Sequence, residues 1–162
     1  LGDKKETVTK EDLPYIISDV LDSQTYQEKI VVESYILSHA KGMRPSTTLC
    51  LKIDGEVIEE HAQGDGQFDA FMNALAKIYK TKNLELPKLI DYAVRIPPGS
   101  SSDALCETII TWTNNGKEFK TRGLDSDQTV AAIVATQKML NVIPSPALSE
   151  GEKVKPKLEI QV

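Results

Sequence analysis

Apolar and polar residues alternate with a period of two over Lys29 to Leu37. Ile30, Val32, Ser34 and Ile36 fall on one side, and Val31, Glu33, Tyr35 and Leu37 on the other. That period predicts a strand. Thr47 to Ile53 and Glu56 to Ala62 read as two more, joined by Asp54-Gly55, a strong hairpin signal. The period then lengthens. Phe68, Phe71, Met72, Leu75, Ala76 and Tyr79 recur at helical spacing. The whole order then repeats. Lys88 to Ile96 is strand-like, Ala104 to Thr113 and Lys117 to Arg122 form a hairpin around Asn114-Asn115-Gly116, and Thr129 to Leu140 is helical. Val130, Ala131, Ile133, Val134 and Leu140 give that second helix its expected apolar face. Internal repetition decides the fold. The expectation is an α+β protein of two pseudo-symmetric β-β-β-α units, with antiparallel sheets covered by helices. Two helices leave much sheet uncovered, and Ala131, Ala132 and Ala135 permit close approach of another element. A homodimer is therefore expected.

The ends differ from this repeat. Thr7 to Leu21 reads as an amphipathic helix with Thr9 as N-cap and a stripe of Leu13, Ile16, Ile17, Val20 and Leu21. One helix cannot bury that stripe alone, so it should dock on something else. Residues 22–25 read as a linker. The tail from Pro144 is polar, with Pro146 and Pro156, and is expected to be flexible. The division is 1–27, 28–143 and 144–162. A first residue that is not Met suggests a fragment of a longer chain. Among 162 residues the net charge is −5 and no basic stripe occurs, which disfavours nucleic acid. No apolar run nears the ~20 residues of a membrane span, and the start resembles no signal peptide. Cys50 and Cys106 are read as sitting at matching places in the two repeats. Two buried core thiols are preferred over a disulfide or metal pair, and a reducing cytoplasm fits.

The repeat creates two helix N-termini, each preceded by a polar corner: Gly64-Asp65-Gly66-Gln67 and Gly123-Leu124-Asp125-Ser126-Asp127. Free backbone N–H groups and the helix dipole bind anions there, so a small carboxylate is the first candidate ligand. From spacing alone, a strand-to-helix turn with positive φ at glycine is the stronger reading of Gly64-Asp65-Gly66. No Gly-Lys-Ser/Thr follows, so it is not a P-loop. Asp125-Ser126-Asp127 lacks the glycine and distal Glu of an EF-hand. N-capping by Asp127 or Ser126 explains it better. Asp65, Asp69, Asp125 and Asp127 leave a carboxylate available to a ligand ammonium. His39 and His61 have no metal spacing, and Ser100-Ser101-Ser102 has no nucleophile-elbow motif. Leu89, Tyr92 and Ile96 are either an apolar pocket wall or ordinary strand packing. Trp112 reads as core or interface.

Three stretches resemble one family. Gly-Asp-Gly-Gln-Phe-Asp-Ala at 64–70, Ile90-Asp91-Tyr92-Ala93-Val94-Arg95, and Arg122-Gly123-Leu124-Asp125-Ser126-Asp127 before an Ala-rich helix are similar to the C-terminal regulatory domain of the 2-isopropylmalate synthase and citramalate synthase family. The resemblance covers about residues 28–142. It implies a dimeric double β-β-β-α domain that binds the end product of a pathway as feedback inhibitor, with residues 1–27 ending the linker to a catalytic barrel. By position, Gly64, Gly66, Gln67, Phe68 and Ala70 fall on the family's first effector loop. Leu89, Tyr92 and Ile96 fall on its apolar effector strand. Ser102, Asp103 and Cys106 fall near the second loop, and Ser126, Asp127 and Gln128 on the third. Gln67 and Phe68 depart from the Pro and smaller aliphatic that are frequent there. Bulky Phe68 and Ile96 favour isoleucine, as in citramalate synthases; leucine, as in 2-isopropylmalate synthases, is the alternative. The resemblance implies no catalytic residue and no cofactor in this stretch. The family's acetyl-CoA chemistry and divalent metal belong to the barrel. A ligand-free dimerisation module is the reading of another class.

Overall fold

The computed structural model describes residues 29–97 and 105–142. The helix expected over Thr7 to Leu21, the polar tail, Ser102 and Asp103 lie outside them. The order is β1 (Ile30–Ser38), β2 (Ser46–Ile53), β3 (Glu56–Gln63), α1 (Gln67–Thr81), β4 (Lys88–Arg95), β5 (Cys106–Asn114), β6 (Lys117–Asp125) and α2 (Gln128–Val142). β1-β2-β3 and β4-β5-β6 are two separate antiparallel sheets, each followed by a helix. Both hairpins turn through an Asx-Gly pair with positive φ: Asp54 at 50° and Gly55 at 89°, Asn115 at 54° and Gly116 at 81°. Such turns match the twist of the flanking strands.

The repeat is closer than the periodicity indicates. The first strand of each unit carries one irregularity, between Val32 and Ser34 in β1 and between Leu89 and Asp91 in β4. A bulge puts residues an odd number apart on one face. In β1 this overturns the simple alternation. Ile30, Val32, Tyr35 and Leu37 lie opposite the buried Ile53, Leu51, Leu49 and Thr47, so Tyr35 rather than Ser34 faces inward. In β4 the bulge sets Leu89 opposite Trp112 and Tyr92 opposite Ile110, on a single face.

The helices play different parts. α1 is amphipathic and buries Ala70, Phe71, Ala74, Leu75, Ile78 and Tyr79 against β2 and β3. Ala76, expected on that stripe, is exposed because Ala74 and Ile78 occupy the inward arc. α2 buries a wider arc: Ala131, Ala132, Ile133, Ala135, Thr136, Met139 and Leu140. It packs on β5 and β6 and also reaches β1 of the other unit. Val134, expected on its apolar face, is exposed. Trp112 belongs to the core. Its indole N–H donates to Thr121 Oγ1 at 2.9 Å, and that hydroxyl donates to the Ala135 carbonyl at 2.7 Å. This ties β5, β6 and α2 together through buried groups that pair with one another.

Gly123 is what lets α2 lie this close. A Cβ there would sit 2.0 Å from the Ala131 carbonyl oxygen and 2.9 Å from the Ala135 nitrogen, both of them backbone. Nothing flexible can give way. Gly123→Ala should therefore destabilise the fold by about 1–3 kcal/mol through overpacking. Urea unfolding followed by Trp112 fluorescence reads this as a lower midpoint, and an unchanged midpoint would mean that the helix is not seated on β6 as described.

Candidate functional site

Two corners precede the two helices, and they are built differently. Gly64 is buried, and a Cβ on it would stand 2.4 Å from the Ala70 nitrogen. Close approach, not positive φ, therefore requires glycine at this position. Gly66 is the N-cap of α1 and is extended, with φ −141° and ψ 175°. The expectation of positive φ in this corner is thus corrected for both glycines. Gly66 supplies no side-chain cap. The Asp69 carboxylate accepts the Asp65 N–H at 2.8 Å, outside the helix proper. The N–H groups of Gln67, Phe68 and Asp69 precede the first helical bond, from Ala70 N–H to the Gly66 carbonyl at 2.9 Å. They are the orphan donors of the first turn.

The second corner is closed by its own chain. Asp127 Oδ1 accepts the N–H of Thr129 at 2.7 Å and of Val130 at 3.1 Å. The Asp127 N–H in turn donates to Asp125 Oδ1 at 2.8 Å. Of the two residues offered as N-cap, Asp127 performs it. One helix N-terminus is capped by a carboxylate; at the other the Asp69 carboxylate bonds back to Asp65 and leaves the first-turn N–H groups without a side-chain cap.

A row of aromatic rings joins the units near these corners. Tyr35 meets Phe71 edge-on at 6.0 Å, Phe71 stacks on Phe68 at 6.2 Å, and Phe68 meets Tyr92 at 5.5 Å with the planes tilted by 47°. Such spacings are those of favourable aromatic pairs. Tyr35 and Tyr92 occupy corresponding places after the two bulges. Burial first, then the carboxylates of Asp125 and Asp127, raise the Tyr35 phenol above its ordinary pKa of 10.0. The first strand of one unit thus lies within electrostatic reach of the second unit's corner. In the other direction, Tyr92 touches Phe68 in the first turn of α1.

The inward face of β4 is only partly covered. Leu89 is 39% exposed, Val94 38% and Ile96, just beyond the strand, 63%. With half-buried Tyr92, whose ring meets Phe68 at the uncapped start of α1, they form one apolar face of β4. The end of this wall is fixed from the opposite face of the sheet. Arg95 and Arg122 both hold the buried Glu107, Arg122 Nη1 at 3.1 Å and Arg95 Nε in a close ion pair. Burial opposes the Glu107 charge. The hydrogen bond and charge of Arg95, with those of Arg122, outweigh it and keep the carboxyl below its ordinary 4.5.

The expected site residues divide on these positions. Gly66, Gln67, Phe68, Leu89, Tyr92 and Ile96 fall at the open corner and its wall. Gly64 and the fully buried Ala70 shape the corner by packing on each other. Ser126, Asp127 and Gln128 fall at the second corner, and Cys106 begins β5 opposite Asp125. The reading of the two cysteines as matched core residues is corrected. When the turn residues Gly55 and Gly116 are aligned, Thr111 and not Cys106 answers to Cys50. Both thiols are free and half-buried, and Cys50 donates to Glu59 at 3.6 Å on the outer face of β2. Tyr35 and Phe71 were missed as site residues; the place of Tyr35 in the repeat, equivalent to Tyr92, is the signal that marks it. Among the described residues no cluster of His, Cys, Asp and Glu could hold a metal, and no helix is long and apolar enough to cross a membrane.

Residues 7–143 match the family described as the LeuA allosteric (dimerisation) domain. The chain is 30% identical over 144 residues to a 2-isopropylmalate synthase of Methanocaldococcus jannaschii, covering 88% of this chain and 27% of that protein. It is also 30% identical over 143 residues to a protein of Archaeoglobus fulgidus provisionally named (R)-citramalate synthase, at 88% and 28% coverage. A 2-isopropylmalate synthase of Microcystis aeruginosa is 29% identical over 161 residues, at 99% and 29% coverage. The chain thus spans under a third of the length of these relatives.

The Glu107 geometry sets a pH dependence. A carboxyl whose folded pKa is lowered stabilises the fold above its unfolded pKa, and that contribution is lost as pH falls through the folded value. Glu107→Gln should therefore melt below the unsubstituted chain at neutral pH, and the two melting curves should converge as pH drops well under 4.5. A constant difference across that range would show that the Glu107 charge does not stabilise the fold.

Proposed function

Because the chain belongs to the LeuA allosteric (dimerisation) domain family, we propose that it is the feedback-inhibition domain of a synthase that makes branched-chain amino acid precursors. Its ligand is a branched-chain amino acid. The observation that carries this reading is the unequal capping of the two helices. The first turn of α1 offers N–H groups with no side-chain cap, next to an apolar wall of Phe68, Leu89, Tyr92 and Ile96. An amino acid supplies both complements: a carboxylate for the N–H groups and an aliphatic chain for the wall. Its ammonium pairs with an acid of Asp125 to Asp127, or with Asp69. A ligand-free dimerisation module would use the exposed wall but needs no uncapped turn.

Isoleucine is the preferred ligand, since the Phe68 ring narrows the wall next to Tyr92. Leucine is the second reading, favoured by the 2-isopropylmalate synthases among the relatives. A misplaced methyl group in an apolar pocket costs about 1–3 kcal/mol, so selectivity of roughly 10–200-fold is expected. The parent synthase would join an acetyl group from acetyl-CoA to a 2-oxo acid in a catalytic barrel outside this chain, using a divalent metal held there. The chain itself would act as a cytoplasmic homodimer with a shared two-fold patch.

Calorimetric titration with isoleucine and leucine side by side tests the ligand. Saturable heat with one or both is expected, and no heat with either would overturn the reading. Gly66→Asp tests the place. Its Cβ position has open space around it, so the side chain fits. Asp caps a helix as well as or better than Gly, so stability should hold. Affinity should fall by at least about tenfold, equivalent to roughly 1.4 kcal/mol. Unchanged affinity would move the carboxylate site elsewhere. For the dimer, light scattering at micromolar concentration should give twice the chain mass, and a clean monomer would refute it.

A further inference from the structure

The N-terminal end of α2 lies at the second corner, and its C-terminal end grips β1, the first described strand. Asn141 Oδ1 accepts the N–H of Lys29 at 2.8 Å and of Ile30 at 3.0 Å. Its Nδ2 donates to the Ile30 carbonyl at 2.8 Å and to the Gln137 carbonyl, one turn back, at 3.0 Å. One turn earlier, Gln137 Oε1 accepts the Val32 N–H at 2.8 Å. Both amides belong to the second unit and the strand to the first. β1 is the edge of its sheet, so no strand satisfies these donors. The carbonyl of Lys29 is held from the other side by the Asp54 N–H at 3.1 Å. Lys29 is the first described residue, and residues 1–28 lie upstream of it.

Between its ends α2 is stiff. It spans about 22 Å at 1.5 Å per residue. Its inward arc is buried, Gly123 brings it against the backbone of β6, and Thr121 holds the Ala135 carbonyl. A packed helix of this kind shifts as a body rather than bending locally. A small displacement at Asp127 must appear at Asn141, because little between them can absorb it.

We propose that α2 couples the second corner, where an acid of Asp125 to Asp127 pairs with the effector's ammonium, to the start of β1, with the Asn141 carboxamide as the latch on Lys29 and Ile30. This rests on the effector reading above and names the route by which that effector acts. The latch has two arrangements: closed, with both amides bonded to Oδ1, and open, with both exposed to water. A ligand that contacts the Asp125 to Gln128 corner favours one of them, and only such a difference in affinity can transmit control. Whatever precedes Lys29 then starts from a fixed or a released anchor.

Amide hydrogen exchange on the 162-residue chain reads the latch directly. With saturating isoleucine or leucine, whichever gives heat in calorimetry, exchange at Lys29 and Ile30 should change by at least about tenfold, a latch shift of roughly 1.4 kcal/mol. Exchange at Leu49 and Leu51 in β2 should stay within twofold. In Asn141→Leu the two amides should exchange fast with and without ligand, and by linkage ligand affinity should shift by about the same tenfold by which the ligand shifts the latch. Asn141→Asp keeps Oδ1 and loses the Nδ2 donor. It should retain the fold and most of the Lys29 protection, so the test survives if the Leu variant does not fold. In the full-length synthase, Asn141→Leu should retain uninhibited turnover and lose feedback inhibition. Heat on titration with no change at Lys29 and Ile30 overturns the latch and leaves the effector reading standing. No heat with either amino acid overturns the effector reading, and the latch with it.

Discussion

β1 has backbone donors along its outer edge that no strand satisfies, and side chains of α2 satisfy them. That constraint explains much of the rest. Unpaired backbone groups at a buried edge cost free energy comparable to a lost hydrogen bond. Gln137 and Asn141 remove that cost only if α2 lies across the boundary between the units. This position in turn forces α2 into close contact with β6. Close contact requires Gly123 and the small residues Ala131 and Ala135. The two β-β-β-α units are therefore one core, in which Leu49 and Phe71 of the first share a cluster with Trp112 and Met139 of the second.

The symmetry of the repeat is real, and it breaks at the helix starts. The bulges, the Asx-Gly turns and the paired tyrosines recur in both units. The helix caps do not. Asp127 supplies a carboxylate to the start of α2, while Gly66 leaves the start of α1 without one. The two corresponding corners thus differ in capping, one bonded by its own side chain and the other with first-turn N–H groups that no side chain caps. The wall beside the open corner is also unequal. β1 is closed off by α2, whereas β4 keeps Leu89, Val94 and Ile96 partly in solvent. A second copy of the chain and an aliphatic ligand would both find that face complementary.

Much of this was legible in the sequence. Among the described residues, the change of period from two to helical spacing located each strand and helix to within a few residues, and Asp54-Gly55 and Asn115-Gly116 marked the turns. What periodicity could not give was phase. A bulge inserts one residue without any compositional mark, so Tyr35 was placed on the wrong face. Leu89 and Tyr92 share a face only because Ile90 is the extra residue. Glycine was equally ambiguous. Gly64 and Gly66 look alike in sequence, yet the first is demanded by a backbone contact and the second leaves open space. The amide contacts of Gln137 and Asn141 with β1 cross more than a hundred residues, and polar residues on an otherwise apolar helix give no sign of their partners. The cysteines misled because both lie in apolar strand patterns, and only the turn alignment separates them.

In the proposed complex the uncapped first turn of α1 receives the carboxylate of a branched-chain amino acid and the Asp127-capped turn of α2 does not. A titration of the ¹⁵N-labelled chain with isoleucine, followed by amide chemical shifts, tests it most directly. The Gln67, Phe68 and Asp69 amides should show the largest downfield movement, as new charge-assisted hydrogen bonds form. Thr129 and Val130, already bonded to Asp127, should keep their bonded shifts. Movement centred on Thr129 and Val130, with Gln67 to Asp69 unmoved, would contradict it.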